Sequence, residues 1–132
     1  HGREPLVAHF ASPAEELQAI QQLVKAFQDS GQHSLGIICK TLPQAAALHQ
    51  ALQADGVQLL TAESTAFKEG VLLTTAYLAK GLEFDEVIVP FVDAATYNTV
   101  VDKGLLYVAC TRAMHQLTLT YSQTLTSFLL SD

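Results

Sequence analysis

Short apolar runs alternate along this chain with segments whose apolar residues recur at every third or fourth position. The apolar runs predict buried strands at Leu6–Phe10, Ser34–Cys39, Val57–Leu60, Val71–Thr75, Glu86–Pro90 and Gln116–Tyr121. The helical spacing predicts one helix after Ser12, a second after Thr41, a third from about Lys103 to Thr111, and a short last helix over Leu125–Leu130. Such alternation with continuously apolar strands is typical of an α/β domain built on a mostly parallel sheet.

Capping residues mark where the first two helices begin. Ser12 suits an N-cap, Pro13 suits the first helical turn, and Glu15 stands three residues after Ser12, as in a capping box. Thr41 opens the second helix, and Gly56 lies just past its end. The less regular segments are a polar connection over Ala62–Gly70 and the stretch Phe91–Asp102.

The length and hydrophobicity of the chain fit one domain. Its 132 residues, 49% of them hydrophobic, are enough for a core of its own. The chain begins at His1 without an initiator methionine, so we expect it to be a fragment of a longer protein. No apolar run approaches the roughly 18 residues of a membrane span, and the N-terminus lacks the pattern of a secretory signal. We therefore expect a cytoplasmic protein with no membrane partner.

Charge and cysteine usage restrict the function classes further. The net charge of −6 argues against an autonomous, tight DNA-binding module, because such modules usually present a basic surface. It still permits a few contacts made as one wall of a larger groove. Cys39 and Cys110 lie far apart in apolar segments, and no Cys/His metal-ligand spacing occurs, so we expect no metal site. Buried free thiols fit a reducing cytosol.

The first candidate site is a polar cluster with the sequence Ala-Lys-Gly-Leu-Glu-Phe-Asp over residues 79–85. Gly81 lets the backbone approach a ligand closely, and its N–H can donate to a phosphate. Lys80 can add positive charge, and Glu83 can accept a hydrogen bond from a sugar hydroxyl. Because ligands of parallel sheets bind beyond the carboxyl ends of the strands, we expect the cluster to lie there, soon after Val71–Thr75. The structural alternative is a tight turn with a solvated charge pair.

The second candidate is Arg112, which follows an apolar helical stripe. The planar, always charged guanidinium could act as an arginine finger that stabilises charge on a transferring phosphoryl group. Alternatively, it pairs with a carboxylate or with a carbonyl group at the end of its own helix. The sequence has no G-x-x-x-x-G-K-[ST] loop and no strand that ends in an Asp-Glu pair, so the chain lacks the means to hold Mg²⁺-ATP by itself.

Two segments resemble motifs of one family of motor proteins. The stretch Thr75–Asp85 (Thr-Ala-Tyr-Leu-Ala-Lys-Gly-Leu-Glu-Phe-Asp), followed by Val-Ile-Val, resembles motif V of the UvrD/Rep-type superfamily 1 DNA helicases. The stretch Leu106–Ala113 (Leu-Tyr-Val-Ala-Cys-Thr-Arg-Ala), followed by Leu-Thr-Leu, resembles motif VI. A weaker similarity to motif IVa lies at Leu35–Thr41. Two motifs in the right order at the right separation are far more specific than either alone.

The resemblance implies that residues 1–132 form a single domain, the second RecA-like motor domain, called 2A. Its fold would be α/β, with three layers and a mostly parallel central sheet flanked by helices. In that family the first motor domain, which is absent from this chain, carries the phosphate-binding loop. ATP with Mg²⁺ would be bound mainly by that N-terminal domain, in the cleft between the two.

The same resemblance assigns roles to individual residues. Arg112 would be the catalytic residue that reaches the γ-phosphate, and Gly81 and Glu83 would lie on the nucleotide side of motif V, with Lys80 beside them. Thr75 would face single-stranded DNA. We expect the full-length protein to be an ATP-dependent DNA helicase or translocase, and the isolated chain to hydrolyse no ATP.

Some positions depart from the family pattern and leave other functions open. Many relatives have His-Ser where this chain has Tyr77-Leu78, so Tyr77 would stack on a base instead. Lys40 stands where an arginine is common in motif IVa. The short connection between motifs IVa and V resembles the compact helicase IV/HelD-like branch, which includes proteins that act on RNA polymerase. A non-catalytic module that docks on RNA polymerase or a repair complex, and an unrelated α/β ligand-binding domain, are the alternatives.

Overall fold

The computed structural model describes residues 4–62 and 69–130, in which one parallel sheet lies between helices. In chain order the elements are β1 (Leu6–His9), α1 (Pro13–Gln28), β2 (Ser34–Cys39), α2 (Leu42–Leu52), β3 (Val57–Leu59), β4 (Gly70–Thr75), β5 (Phe84–Val89), α3 (Val100–Cys110) and β6 (Ala113–Tyr121). A 3₁₀ turn over Ser127–Leu129 follows. The strand order across the sheet is β1-β6-β5-β2-β4-β3, and each of these neighbouring pairs is parallel. The sheet is therefore all-parallel where a mostly parallel one was predicted.

The central strands are buried on both faces because their apolar side chains alternate between two cores. One core contains Ile37 and Cys39 of β2 together with apolar residues of α1 and α2. The other contains Ile38 of the same strand together with Leu106 and Ala109 of α3. Helices thus cover both faces of the sheet, which confirms the predicted three-layer α/β fold.

Helix α3 begins at Val100 rather than near Lys103. The Thr99 hydroxyl oxygen accepts the Asp102 N–H at 3.1 Å, and the Asp102 carboxylate accepts the Thr99 N–H at 3.1 Å, which closes a capping box. The helical spacing of apolar residues did not reveal this first turn because Val100 and Val101 are 87% and 73% exposed.

Two other predicted segments differ from the structure. Ser12 caps α1 by accepting the Glu15 N–H at 3.2 Å, and within residues 4–62 and 69–130 only this half of the predicted capping box forms. The helix predicted over Leu125–Leu130 is a single 3₁₀ turn. Most of the connection predicted over Ala62–Gly70 lies outside the described residues. No helix of the described ranges is both long and apolar enough to span a bilayer.

Candidate functional site

The connection from β4 to β5 returns the chain from the carboxyl ends of the strands to their amino ends. Thr75 ends β4 beside Cys39, the last residue of β2, at the carboxyl ends of the strands. Phe84 begins β5 and pairs with Ala113, the first residue of β6, at the amino ends. The expectation that the whole polar cluster lies beyond the carboxyl ends is therefore wrong. The connection leaves β4 at the carboxyl ends. Gly81 already leads into the amino end of β5, because parallel strands all begin on the same side of the sheet.

Arg112 lies between α3 and β6, against the end of this connection. Its carbonyl oxygen accepts the Phe84 N–H at 2.9 Å, and its Nη1 lies 3.5 Å from the Leu82 carbonyl oxygen, at the limit of a hydrogen bond. Its Nη2 donates to the Thr111 hydroxyl at 3.2 Å, whereas its Nε is buried without a partner. Within the described ranges the half-buried guanidinium forms no ion pair with a carboxylate. Neither structural alternative is therefore present in the described ranges, because the guanidinium pairs with no carboxylate there and the carbonyl group it approaches belongs to Leu82 rather than to its own helix.

The predicted nucleotide-side residues lie on an exposed part of the same connection, in which Leu82 is the residue that contacts Arg112. Gly81 is exposed with a φ of +83°, and no atom lies within 4 Å of the place where a Cβ would be. Lys80 and Glu83 are exposed, and neither forms an ion pair with another described residue. The tight turn of the structural alternative is present, because the Leu82 N–H donates to the Ala79 carbonyl oxygen at 2.9 Å, but the Lys80 and Glu83 charges do not pair with each other.

The two residues predicted to face DNA differ in exposure. Thr75 is 5% exposed, and its hydroxyl oxygen accepts the Leu78 N–H at 3.2 Å, which shapes the start of the turn. The hydroxyl hydrogen remains able to donate. Tyr77 is 69% exposed, and the Lys80 ammonium lies 5.1 Å from the centre of its ring, within cation–π range. Tyr77 thus presents a flat apolar face with a positive charge beside it.

Sequence reasoning missed the residues that support this site. A Cβ on Gly36 of β2 would lie 2.6 Å from a carbon of the Phe84 ring, so only glycine lets that ring lie on the strand. The Asp85 carboxylate accepts the His33 and Ser34 N–H groups at 2.7 and 3.2 Å, and the Asp85 N–H donates to the Ser34 hydroxyl at 2.9 Å. An isolated glycine inside an apolar strand was the available indication of a close approach.

A second missed feature joins the carboxyl end of β2 to the first turn of α3. The Lys40 Nζ lies 2.7 Å from an Asp102 carboxylate oxygen. This contact with Lys40, followed by hydrogen bonds from the Asn98 and Thr99 N–H groups, lowers the pKa of Asp102 far below its usual value despite burial. Lys40 is thus committed to an ion pair within the domain.

The two thiols are unreactive by environment. Burial, with a smaller effect of the Glu16 charge, raises the pKa of Cys39 to about 12, and burial raises the pKa of Cys110 to about 11. Both remain protonated near neutral pH, so neither is a candidate nucleophile. Within the described part of the chain, no group of three or more His, Cys, Asp or Glu side chains is placed to hold a metal ion.

Comparison with known proteins matches the segment that contains Gly81 and Arg112 to a helicase family. Residues 70–120, which include both motif-like segments, match the family model of the UvrD-like helicase C-terminal domain. DNA helicase II of Escherichia coli (strain K12) and that of Salmonella typhimurium (strain LT2) are each 36% identical over an alignment of 91 residues, which covers 61% of this chain. The chain spans only 12% of the length of these relatives.

A solved structure decides the assignment. The C-terminal domain of a possible DNA helicase from Lactobacillus plantarum WCFS1 is 34% identical, with a TM-score of 0.84, over 98% of this chain and 80% of that one. The chain belongs to the UvrD-like helicase C-terminal domain family. This UvrD-like domain also shares its fold with the UvsW helicase from bacteriophage T4 (10% identity, TM-score 0.60, 89% of this chain and 46% of that one). The same holds for the C-terminal domain of the DEAD-box protein Dbp5 (15% identity, TM-score 0.66, 91% and 77%).

Proposed function

We propose that this UvrD-like domain is the second motor domain of an ATP-dependent DNA helicase or translocase. In this proposal the nucleotide lies against the amino ends of the strands, where Arg112 is located. Single-stranded DNA lies against the carboxyl ends, near Thr75 and Tyr77. The N-terminal motor domain of the same protein provides the other wall of both sites.

The state of Arg112 is the observation that carries the proposal. Its guanidinium is half-buried, has no carboxylate partner among the described residues, and keeps a buried Nε without an acceptor. A buried donor without an acceptor costs about 1–3 kcal/mol, which a phosphoryl oxygen would recover. The backbone of Arg112 is fixed by Phe84, so the side chain starts from a defined position. These properties suit an arginine that completes its contacts only when an anion arrives.

The nucleotide-side residues would complete one wall of the cleft. Gly81 leaves room for a phosphate or ribose to approach its backbone, and Glu83 offers an exposed carboxylate to a sugar hydroxyl. Lys80 would add positive charge on this side only if its ammonium left the Tyr77 ring, beside which it lies in this structure. Because the sequence has no phosphate-binding loop, the substrate ATP and its Mg²⁺ would be held mainly by the first motor domain. Closing of the cleft on ATP would then bring Arg112 to the γ-phosphate.

The nucleic-acid side would rely on few contacts. The exposed Tyr77 ring can stack on a base, and the Thr75 hydroxyl can donate to a phosphate or sugar oxygen. The Lys80 ammonium beside the Tyr77 ring can contribute charge at this surface as well. Such limited contact agrees with a net charge of −6, because most phosphate contacts would come from elsewhere in the protein.

A non-catalytic docking module is the second candidate function, with RNA polymerase or a repair complex as its partner. The exposed apolar residues Val100 and Val101 at the start of α3 and the acidic net charge favour it. Stimulation of ATP hydrolysis by single-stranded DNA in the full-length protein would favour the motor function. Absence of this stimulation would favour docking.

Substitution of Arg112 in the full-length protein tests the proposal directly. We expect Arg112→Ala to lower kcat for DNA-stimulated ATP hydrolysis by about 10³-fold or more, the usual contribution of an arginine finger. Arg112→Lys should recover little, because lysine lacks the planar fork. The exposed Lys25 on α1 provides a control, since Lys25→Ala removes a cation from a helix that packs on the opposite face of the sheet from α3. Turnover of Arg112→Ala within tenfold of the wild type would exclude the role.

A further inference from the structure

One ion pair joins the carboxyl end of β2 to the first turn of α3. The Lys40 Nζ lies 2.7 Å from the Asp102 Oδ1 and also donates to the Thr96 carbonyl oxygen at 2.7 Å. The side chains of Asp102 and Lys40 are 6% and 25% exposed, so water screens the pair only in part. The pair therefore holds a defined geometry, unlike a flexible ion pair on the surface.

Asp102 at the same time organises the start of α3. Its Oδ2 accepts the Asn98 N–H at 2.9 Å and the Thr99 N–H at 3.1 Å, while its Oδ1 faces Lys40. Both carboxylate oxygens are therefore engaged. The first turn of α3 cannot move away from β2 without breaking contacts of a buried carboxylate.

Helix α3 leads from this ion pair to Arg112. Because α3 connects two parallel strands, it begins at their carboxyl ends and finishes at their amino ends. Its length of 11 residues corresponds to about 16 Å. Leu106 and Ala109 are buried against the sheet, so the helix is expected to move as one body. A displacement of its first turn would therefore displace Arg112.

The ion pair also lies next to the proposed nucleic-acid surface. Lys40 follows Cys39, whose carbonyl oxygen accepts the Ala76 N–H at 3.1 Å. Ala76 stands between Thr75 and Tyr77 in the turn that leaves β4. Consecutive contacts therefore connect that turn with the end of β2 and, through Lys40, with α3.

We infer that Lys40 is a positioning residue for ATP hydrolysis, because its ion pair with Asp102 sets the position of α3 and thereby of Arg112. The inference rests on the proposed function, since it requires Arg112 to act on the nucleotide. Lys40 touches neither the nucleotide nor the reacting atoms in this role. Its effect is on where the guanidinium stands when the cleft closes.

Steady-state ATP hydrolysis by the full-length protein at saturating single-stranded DNA tests this role. We expect Lys40→Met and Asp102→Asn each to lower kcat about tenfold and to leave the KM for ATP within about twofold, because a displaced Arg112 loses a contact made in the transition state. Lys40→Arg should restore most of kcat. The double variant should be no slower than either single variant, because the two residues act as one pair.

Controls separate positioning from loss of folding. Circular dichroism of each variant gives the folded fraction, to which kcat is normalised, and Lys25→Met, which removes an exposed lysine from α1, should behave as the wild type. Any of three results would overturn the inference. The normalised kcat of Lys40→Met could lie within twofold of the wild type, or the KM for ATP could rise in step with the loss of kcat. The third result is an additive loss of kcat in the variant that carries both Lys40→Met and Asp102→Asn. An inactive Arg112→Ala beside a fully active Lys40→Met would refute positioning alone. A fully active Arg112→Ala would refute the proposed function as well.

Discussion

The Phe84 ring lies directly on the backbone of β2 at Gly36, so closely that a Cβ there would be 2.6 Å from a ring carbon. The N–H of the same Phe84 donates to the Arg112 carbonyl oxygen at 2.9 Å. One glycine in the middle of the sheet therefore fixes the aromatic residue that in turn fixes the backbone of the candidate catalytic arginine.

Gly36→Ala should destabilise the chain by about 2–3 kcal/mol, because the added methyl group would force the buried Phe84 ring out of its place. Urea unfolding followed by circular dichroism measures the free energy of unfolding. Gly104→Ala is the matched control, since Gly104 lies in α3 with no atom within 4 Å of its Cβ position. That change should stabilise the chain by about 0.5–1 kcal/mol through helix propensity. Equal effects of the two substitutions would show that the Gly36–Phe84 contact is not tight.

Asp102→Asn should lower the free energy of unfolding by about 2 kcal/mol at pH 7, because the partly buried Lys40 ammonium loses its counter-charge. The pKa of Asp102 is lowered in the folded state, so the ion pair stabilises the fold above the unfolded-state pKa of about 4. This stabilisation is lost as the pH falls below that value towards the folded-state pKa. The difference in the free energy of unfolding between the wild type and Asp102→Asn should therefore be constant from about pH 5 to 8 and shrink in acid. A difference that grows below pH 4 would contradict this assignment.

Tyr77→Ala in the full-length protein should weaken binding of single-stranded DNA about tenfold, the effect of losing one stacked base. Tyr77→Phe should bind nearly as well as the wild type because the ring face is kept. Tyr107 is a matched control, since the two tyrosines are 69% and 70% exposed and Tyr107 lies on α3. Fluorescence anisotropy with a labelled oligonucleotide measures the affinities. Equal losses for Tyr77→Ala and Tyr107→Ala would argue against a specific stacking role.

Each of the two thiols should react much more slowly in the folded chain than in the unfolded chain. The pKa of Cys39 is raised to about 12 and that of Cys110 to about 11, chiefly by burial, so few thiolates exist at pH 8. A disulfide reagent such as 5,5′-dithiobis(2-nitrobenzoic acid) should label the half-buried Cys110 slowly and the buried Cys39 only after denaturant is added. Cys39→Ser and Cys110→Ser identify which thiol reacts. Rapid labelling of Cys39 in the folded chain would show that its core is more open than the structure indicates.

Much of the fold follows from local patterns. The apolar run Ser34–Cys39 became β2 with the predicted bounds, because a strand buried on both faces needs apolar side chains at consecutive positions. Thr41 caps α2 by accepting the Gln44 N–H at 3.2 Å, because its oxygen satisfies an otherwise free N–H group of the first turn. The start of α3 could not be found in this way, since its first turn is set by Thr99 and Asp102 rather than by an apolar stripe.

The amino-acid sequence by itself determined the succession of strands and helices, the two-sided burial of the sheet, and the polar segments that contain Gly81 and Arg112. Periodicity suffices for these properties because each depends on residues close together in the chain. Only the tertiary structure decided that the segment containing Gly81 reaches Arg112 through Leu82 at the amino ends of the strands, while Thr75 stays at the carboxyl ends. It also decided that Lys40 pairs with Asp102 and that Gly36 receives the Phe84 ring. Those contacts depend on β5 lying between β2 and β6, an arrangement set by packing between residues distant in sequence.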